Sequence, residues 1–171
     1  KEVFKPGLVL IALIFLTSWT QAQKDYNKVY EKTFSGIKSL DVSHRRGPIE
    51  VLPSKNGQVS YKVELTFKAN EEADAQGLIN HFELDADKLG SQLEIKSEMN
   101  IKRWNSRNGN VRIEFSDGNK IKDIKDVKIK MQLFVPTLDL LKLENKYDDI
   151  VIEQAVNSPL NIKLYSGKLK V

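Results

Sequence analysis

The 171 residues include no cysteine. In an exported protein this excludes a disulfide framework, so stability must come from a packed core. The sequence also shows no acylated cysteine of the kind that holds a bacterial lipoprotein, so anchoring by an N-terminal lipid is not expected. Histidine is nearly as scarce: His44, in the basic turn His44-Arg45-Arg46, and His81, at an expected helix end. Zinc needs three or four ligands drawn from histidine, cysteine and carboxylates, so neither histidine is taken for a ligand. His81 reads as a partner of the helix dipole. Charge of one sign is scarce too. Twenty-seven Lys and Arg face 23 Asp and Glu, a formal net charge of +4. The lysines are scattered, often at every second position, as on solvent faces and guarded strand edges. A nucleic-acid footprint would need a clustered basic patch, so no nucleic-acid partner is expected. No nucleophilic, metal-ligating or cofactor-binding constellation is legible, so catalytic residues, metals and cofactors are all set at none.

What is present is alternation. Apolar residues make up 40% and charged residues 29% of the chain, and the length suits one domain plus a targeting segment. Leu40-Asp-Val42, Ile49-Glu-Val51, Val59 to Phe67, Leu93-Glu-Ile95 and Val111 to Phe115 alternate with period two and read as half-buried strands. Asp126 to Val135 reads as the longest strand, with Val127, Ile129, Met131 and Leu133 inward, and Pro136 ends it. One helix is expected over about 70–81. Asn70 is its expected cap, and Ala75, Leu78, Ile79 and Phe82 form one apolar stripe. Gly77 weakens it by about 1 kcal/mol relative to alanine.

The stretch Leu141 to Val171 shows a repeat. Set against Leu141 to Ile152, the earlier segment Leu40 to Val51 keeps apolar residues at its first, third, tenth and last places. Asn145 to Ile152 and Leu164 to Val171 form similar units, with Tyr165 eighteen positions after Tyr147. Each unit is strand, polar turn, strand, and must stack on a neighbour to bury its apolar face. An antiparallel meander with similar turns is the alternative. The chain stops in mid-strand, so a C-terminal continuation is expected.

Residues 1–22 read as a secretory signal: Lys1 and Lys5, the apolar run Gly7 to Leu16, and small residues around Thr20-Gln21-Ala22. The run is about half the roughly 20 residues that a spanning helix needs. Residues 23–32 read as a polar lead-in and 33–171 as the domain. Export places the protein in the periplasm or at the cell surface, with no membrane span after cleavage.

Three features carry a resemblance: Phe34 to Val42 with its turn into Ile49-Glu-Val51, the helix Glu71 to Ala75 followed by Leu93-Glu-Ile95, and the Tyr-Asp-Asp and Tyr-Ser-Gly turns. On these the chain resembles the bacterial exported, adhesin-like DUF4097/DUF2807 group. The resemblance implies a mainly β fold, a right-handed β-helix or β-solenoid stack outside the cytoplasm, and no catalytic residues. Such proteins usually show more coils than this chain has room for.

Two polar features remain. Asp148 and Asp149 are adjacent in a turn, but a calcium roll needs the glycine–aspartate repeat to recur, and Ser166-Gly167 carries no carboxylate. Local turn chemistry accounts for them. Lys102, Arg103, Trp104, Arg107 and Arg112 form the one basic-aromatic cluster, read as a loop that could stack a sugar or hold an acidic glycan. The leading function is a non-enzymatic binding or adhesion module with a glycan or an envelope protein as partner. Behind it stand a periplasmic sensor that binds a protein along the edge Lys168–Val171, and a polysaccharide-active enzyme on a β-helix scaffold.

Overall fold

Strict alternation in Val59–Ala69 makes one face of an 11-residue strand wholly buried, and the fold grows outward from it. The computed structural model describes residues 23–153 and 156–171; the expected signal, 1–22, lies outside the described residues. The strands are β1 (Lys24–Phe34), β2 (Ser39–His44), β3 (Ile49–Pro53), β4 (Val59–Ala69), β5 (Phe82–Leu89), β6 (Gln92–Met99), β7 (Ile101–Arg107), β8 (Asn110–Phe115), β9 (Lys120–Val135), β10 (Leu140–Asn145), β11 (Ile150–Ile152), β12 (Leu160–Leu164) and β13 (Leu169–Lys170), with helix α1 (Glu72–Asn80) between β4 and β5. They form two open, mixed sheets. One runs β1-β4-β9-β3-β11-β13 with β8 and β7 added beside β9, and the other runs β12-β10-β2-β6-β5.

The repeat has a direct structural counterpart. Leu40 pairs with Leu141 and Val42 with Leu143, all parallel. On the other sheet Ile49 pairs with Ile150 and Val51 with Ile152. Each strand–turn–strand unit therefore places one strand in each sheet and lies parallel to the next unit, and the inward leucines, valines and isoleucines between the sheets are fully or almost fully buried. A further unit follows, with Leu141 opposite Leu160 and Asn145 opposite Leu164. That register is nineteen positions (164 − 145), so Tyr165 does not match Tyr147, the eighteen-residue spacing notwithstanding. Tyr147 corresponds to Ser166.

Several local expectations change. The polar lead-in is strand β1, antiparallel to β4 over its whole length. Its inward apolar residues are spaced by four: Tyr26 stacks on Phe67 at 5.2 Å and Phe34 meets Tyr61 at 6.1 Å. Lys28 and Lys32 lie over the rings of Tyr30 and Phe34, so the strand shows little apolar alternation. Helix α1 begins after Glu71, whose backbone is extended and whose side chain makes no capping bond; Asn70 is not the cap. Ala75 and Leu78 are buried. A Cβ on Gly77 would meet Ile121 Cγ2 at 2.9 Å, so this glycine lets the helix lie close over β9. Strand β9 begins six residues earlier than the alternation indicates. Its burial changes phase twice, from Ile121 to Ile124 and again to Ile129. Asp123 and Asp126 have left-handed backbones (φ 60 and 53), which inserts an extra residue each time and re-aims the strand. Ile129, Met131 and Leu133 point inward as expected, whereas Val127 is only half-buried.

Candidate functional site

The cluster read as a loop is a β-hairpin. Asn108-Gly109, with φ 50 and 77, turns β7 back into β8; two successive left-handed residues are what a tight two-residue hairpin needs. The pleat then divides the cluster. Trp104 lies opposite buried Ile113 and packs against the core. Arg103 lies opposite Glu114, so Arg103, Arg107 and Arg112 fall on the outer face by strand alternation. Lys102 reaches Glu114 at 2.9 Å, where the pairing slips between Ile101 and Arg103. The five residues therefore do not form one site.

Trp104 finds a different cation. One edge of β9 is paired with β8 over 120–125 and with β3 over 131–135, leaving 126–130 uncovered on that edge. The turn between β2 and β3 fills the gap: Met131 N donates to Pro48 O at 3.1 Å. Gly47 has φ +93, and a Cβ there would lie 1.9 Å from Ile129 O, so only glycine permits the approach. Beside it the Arg46 guanidinium is held between two rings, 4.7 Å from Trp104 and 5.3 Å from Tyr147. Burial lowers its pKa, an effect that Tyr147 opposes and Arg45 reinforces. Among the described residues no carboxylate comes within ion-pair distance of Arg46. Arg46, Gly47, Pro48, Trp104, Ile129 and Tyr147 line a groove of about 260 Å³ that Lys128 and Asp148 border. With two rings beside it and no carboxylate partner, the guanidinium keeps N–H groups free to donate to an acceptor. Sequence reasoning singled out Trp104 among the cations near it in sequence and missed Arg46, which lies 58 positions away (104 − 46) and is brought beside it by the turn that fills the gap in β9.

A second polar feature is internal. Ser97, His44 and Asn145 stand side by side on β6, β2 and β10, all buried. His44 Nδ1 bonds Ser97 Oγ. Asn145 Nδ2 donates to Gly47 O at 3.0 Å and Asp149 O at 3.2 Å, tying the turns of two successive units together. Burial pushes the His44 imidazole down to about 4. His44 and Ser97 are 1% and 3% exposed, at the base of a cleft that Arg45, Glu83 and Asp85 also line, and their bond ties β2 to β6. His81, by contrast, bonds Gly77 O through Nδ1 at 2.7 Å and Asp117 through Nε2 at 3.0 Å. Both partners are acceptors, so the imidazolium, with two donors, suits the place. Asp149 accepts from Lys168 N at 2.8 Å and Lys170 Nζ at 2.6 Å, which makes the Asp148-Asp149 pair a link between turns. Among the described residues no group of three His, Asp or Glu is placed to hold a metal ion, and no helix is long and apolar enough to cross a membrane.

Comparison with family models gives no match, and comparison with curated proteins gives none either. Solved structures are similar at low identity. A candidate cell-adhesion protein from Clostridium sporogenes is 17% identical, with 87% of this chain and 59% of that chain covered and a TM-score of 0.43. A candidate adhesin from Parabacteroides distasonis is 10% identical over 84% of this chain and 55% of that one, with a TM-score of 0.40. A candidate lipid-binding protein from the same organism is 13% identical over 84% and 59%, with a TM-score of 0.34. This chain thus spans little more than half the length of the structures it matches.

Proposed function

We propose that the chain is a non-enzymatic, exported β-solenoid that serves as an adhesin-like binding module of the bacterial cell envelope, taking a glycan or an envelope protein at the Arg46 groove. The observation that carries this reading is the Arg46 guanidinium held between Trp104 and Tyr147 without a carboxylate partner. Two aromatic faces and a pre-oriented donor fork suit a hydroxyl-rich or carboxylate-bearing ligand. The parallel units support a right-handed solenoid, because parallel crossovers are right-handed in about 98% of cases. Export rests on the signal-like residues 1–22, and leaves periplasm and cell surface as the two locations. A polysaccharide-active enzyme would need paired carboxylates across a cleft; the groove is bordered by one, Asp148.

The test is a binding assay with a panel of short neutral and singly acidic oligosaccharides, free of polyanionic polymers, on the chain and on Trp104→Ala. Binding that falls about tenfold or more in the variant is expected, because the guanidinium loses one of its stacking faces. A folded chain that binds no glycan, or binding indifferent to Trp104, would remove the groove as the contact surface.

A second reading has its own observation. Leu160 and Leu169 are exposed on β12 and β13, the last strands of the two sheets among the described residues. Such strands suit pairing with a further strand, from a following unit of the chain or from a protein partner. Protection of the β13 amides from hydrogen exchange by a candidate envelope protein would favour it over the glycan groove.

A further inference from the structure

We infer that the outer face of the β7–β8–β9 segment is a binding strip for a linear anionic polysaccharide. It is a second binding surface, separate from the Arg46 groove, and rests on the reading above only for where such a polymer would be met. Arg103, Arg112, Lys120 and Lys122 converge on a shallow groove of about 520 Å³, together with Asn105 and Glu114. The register puts them on one face. Arg103 and Lys120 both lie opposite Glu114, Asn105 lies opposite Arg112, and Ile113 and Ile121 point the other way into the core.

Charge distinguishes this face from the rest of the molecule. Across the stacked units cations are matched to carboxylates: Lys130 to Glu50 at 2.7 Å, Lys142 to Asp41 at 3.5 Å, Lys163 to Glu144 at 3.3 Å. On the strip, Glu114 is the one carboxylate lining the groove, and Lys102 already holds it at 2.9 Å. Among the described residues, Arg103, Arg107, Arg112, Lys120 and Lys122 appear in no ion pair. Glu114 draws on Lys102, Lys120 and Arg103, but one carboxylate does not offset the group, and like charges on facing strands are unfavourable. They span three strands, roughly 10 Å at the usual spacing, which suits several acidic groups along one extended polymer. Asn105 offers both a donor and an acceptor to sugar hydroxyls. Among the described residues no aromatic side chain lines this groove, Trp104 lying on the other face, so a platform for stacking single-stranded nucleic-acid bases is missing.

The experiment is titration of the full chain with polygalacturonate and dextran sulfate, with neutral dextran and a DNA duplex of matched charge as controls, over a salt series. Carboxylated or sulfated polymer is expected to bind, more weakly as salt rises, with neutral dextran unbound and the duplex bound less well. The triple variant Arg103→Gln/Arg112→Gln/Lys122→Gln should weaken binding by about tenfold or more, while Trp104→Ala changes it by less than about twofold, because the two lie on opposite faces. The polymer that binds more tightly tells uronate from sulfate chemistry. No binding by the folded chain, binding unaltered in the triple variant, or equal affinity for the duplex would each overturn the proposal. Loss of binding in Trp104→Ala with the triple variant unaffected would return the site to the Arg46 groove and leave the broader reading standing.

Discussion

The stacked units and the β7–β8 hairpin are built from similar residues but satisfy them differently. In the stack each inward position meets its counterpart at the same height, Leu40 beside Leu141 and Ile49 beside Ile150. Outward charges meet opposite charges, and even the buried polar residues Ser97, His44 and Asn145 are aligned. In the hairpin and the part of β9 beside it the pairing slips in both ladders, Asp123 and Asp126 of β9 take left-handed backbones, and cations gather that form no ion pair among the described residues. A repeat that stacks in register meets its own polar and apolar requirements internally. The hairpin leaves a stacked cation on one face and, on the other, a strip of cations that form no ion pair among the described residues.

The largest test of that contrast is Gly47→Ala. The new Cβ has no room against Ile129 O and the backbone is left-handed, so thermal or denaturant unfolding should show a loss of about 4 kcal/mol. An effect under about 1 kcal/mol would mean that the turn is not pinned in the gap of β9.

Next is the pH dependence carried by His44. Its folded pKa, about 4, lies below the ordinary 6.5. The unfolded chain therefore binds more protons between those values, and stability falls as pH drops from 6.5 to 4, by on the order of 3 kcal/mol. His44→Asn, with the amide that Asn145 shows to fit the neighbouring position, should narrow its gap from the parent as pH falls through that window. A gap that stays constant would show that His44 is not buried in its neutral form. His81 acts in the opposite sense. Burial opposes its charge, but the bonds to Asp117 and Gly77 O raise its pKa, so its contribution is complete below 6.5 and is lost as pH rises through the folded value.

The smallest expected effect is the sharpest for the comparison. Arg112→Gln on the strip should change stability by less than about 0.5 kcal/mol, or raise it slightly through relief of like-charge repulsion. Clear destabilisation would mean that the strip serves the fold.

Much of the stack was legible in the amino-acid sequence, because its signal is a fixed spacing: Leu40, Val42, Ile49 and Val51 align with Leu141, Leu143, Ile150 and Ile152 without knowledge of any partner. The Asn108-Gly109 turn was equally visible as a hairpin signal, but polar residues on both sides disguised the strands. Strand β1 was hidden for a related reason, since its inward face mixes tyrosines with lysines that lie over rings. The phase changes in β9 could not be read, because aspartate enters the left-handed region more readily than most residues yet does so at few of its positions, and nothing local marks Asp123 and Asp126.

For the site, Trp104 was legible as an aromatic among cations, but its partner and its face were not. Apolar periodicity acts along the chain and is sufficient to specify units that stack on one another. Which cation reaches Trp104, and which charges gather on the outer face, depend on strand register and on a gap in one edge of β9. Those are relations between residues remote in sequence, set only once the two sheets have formed.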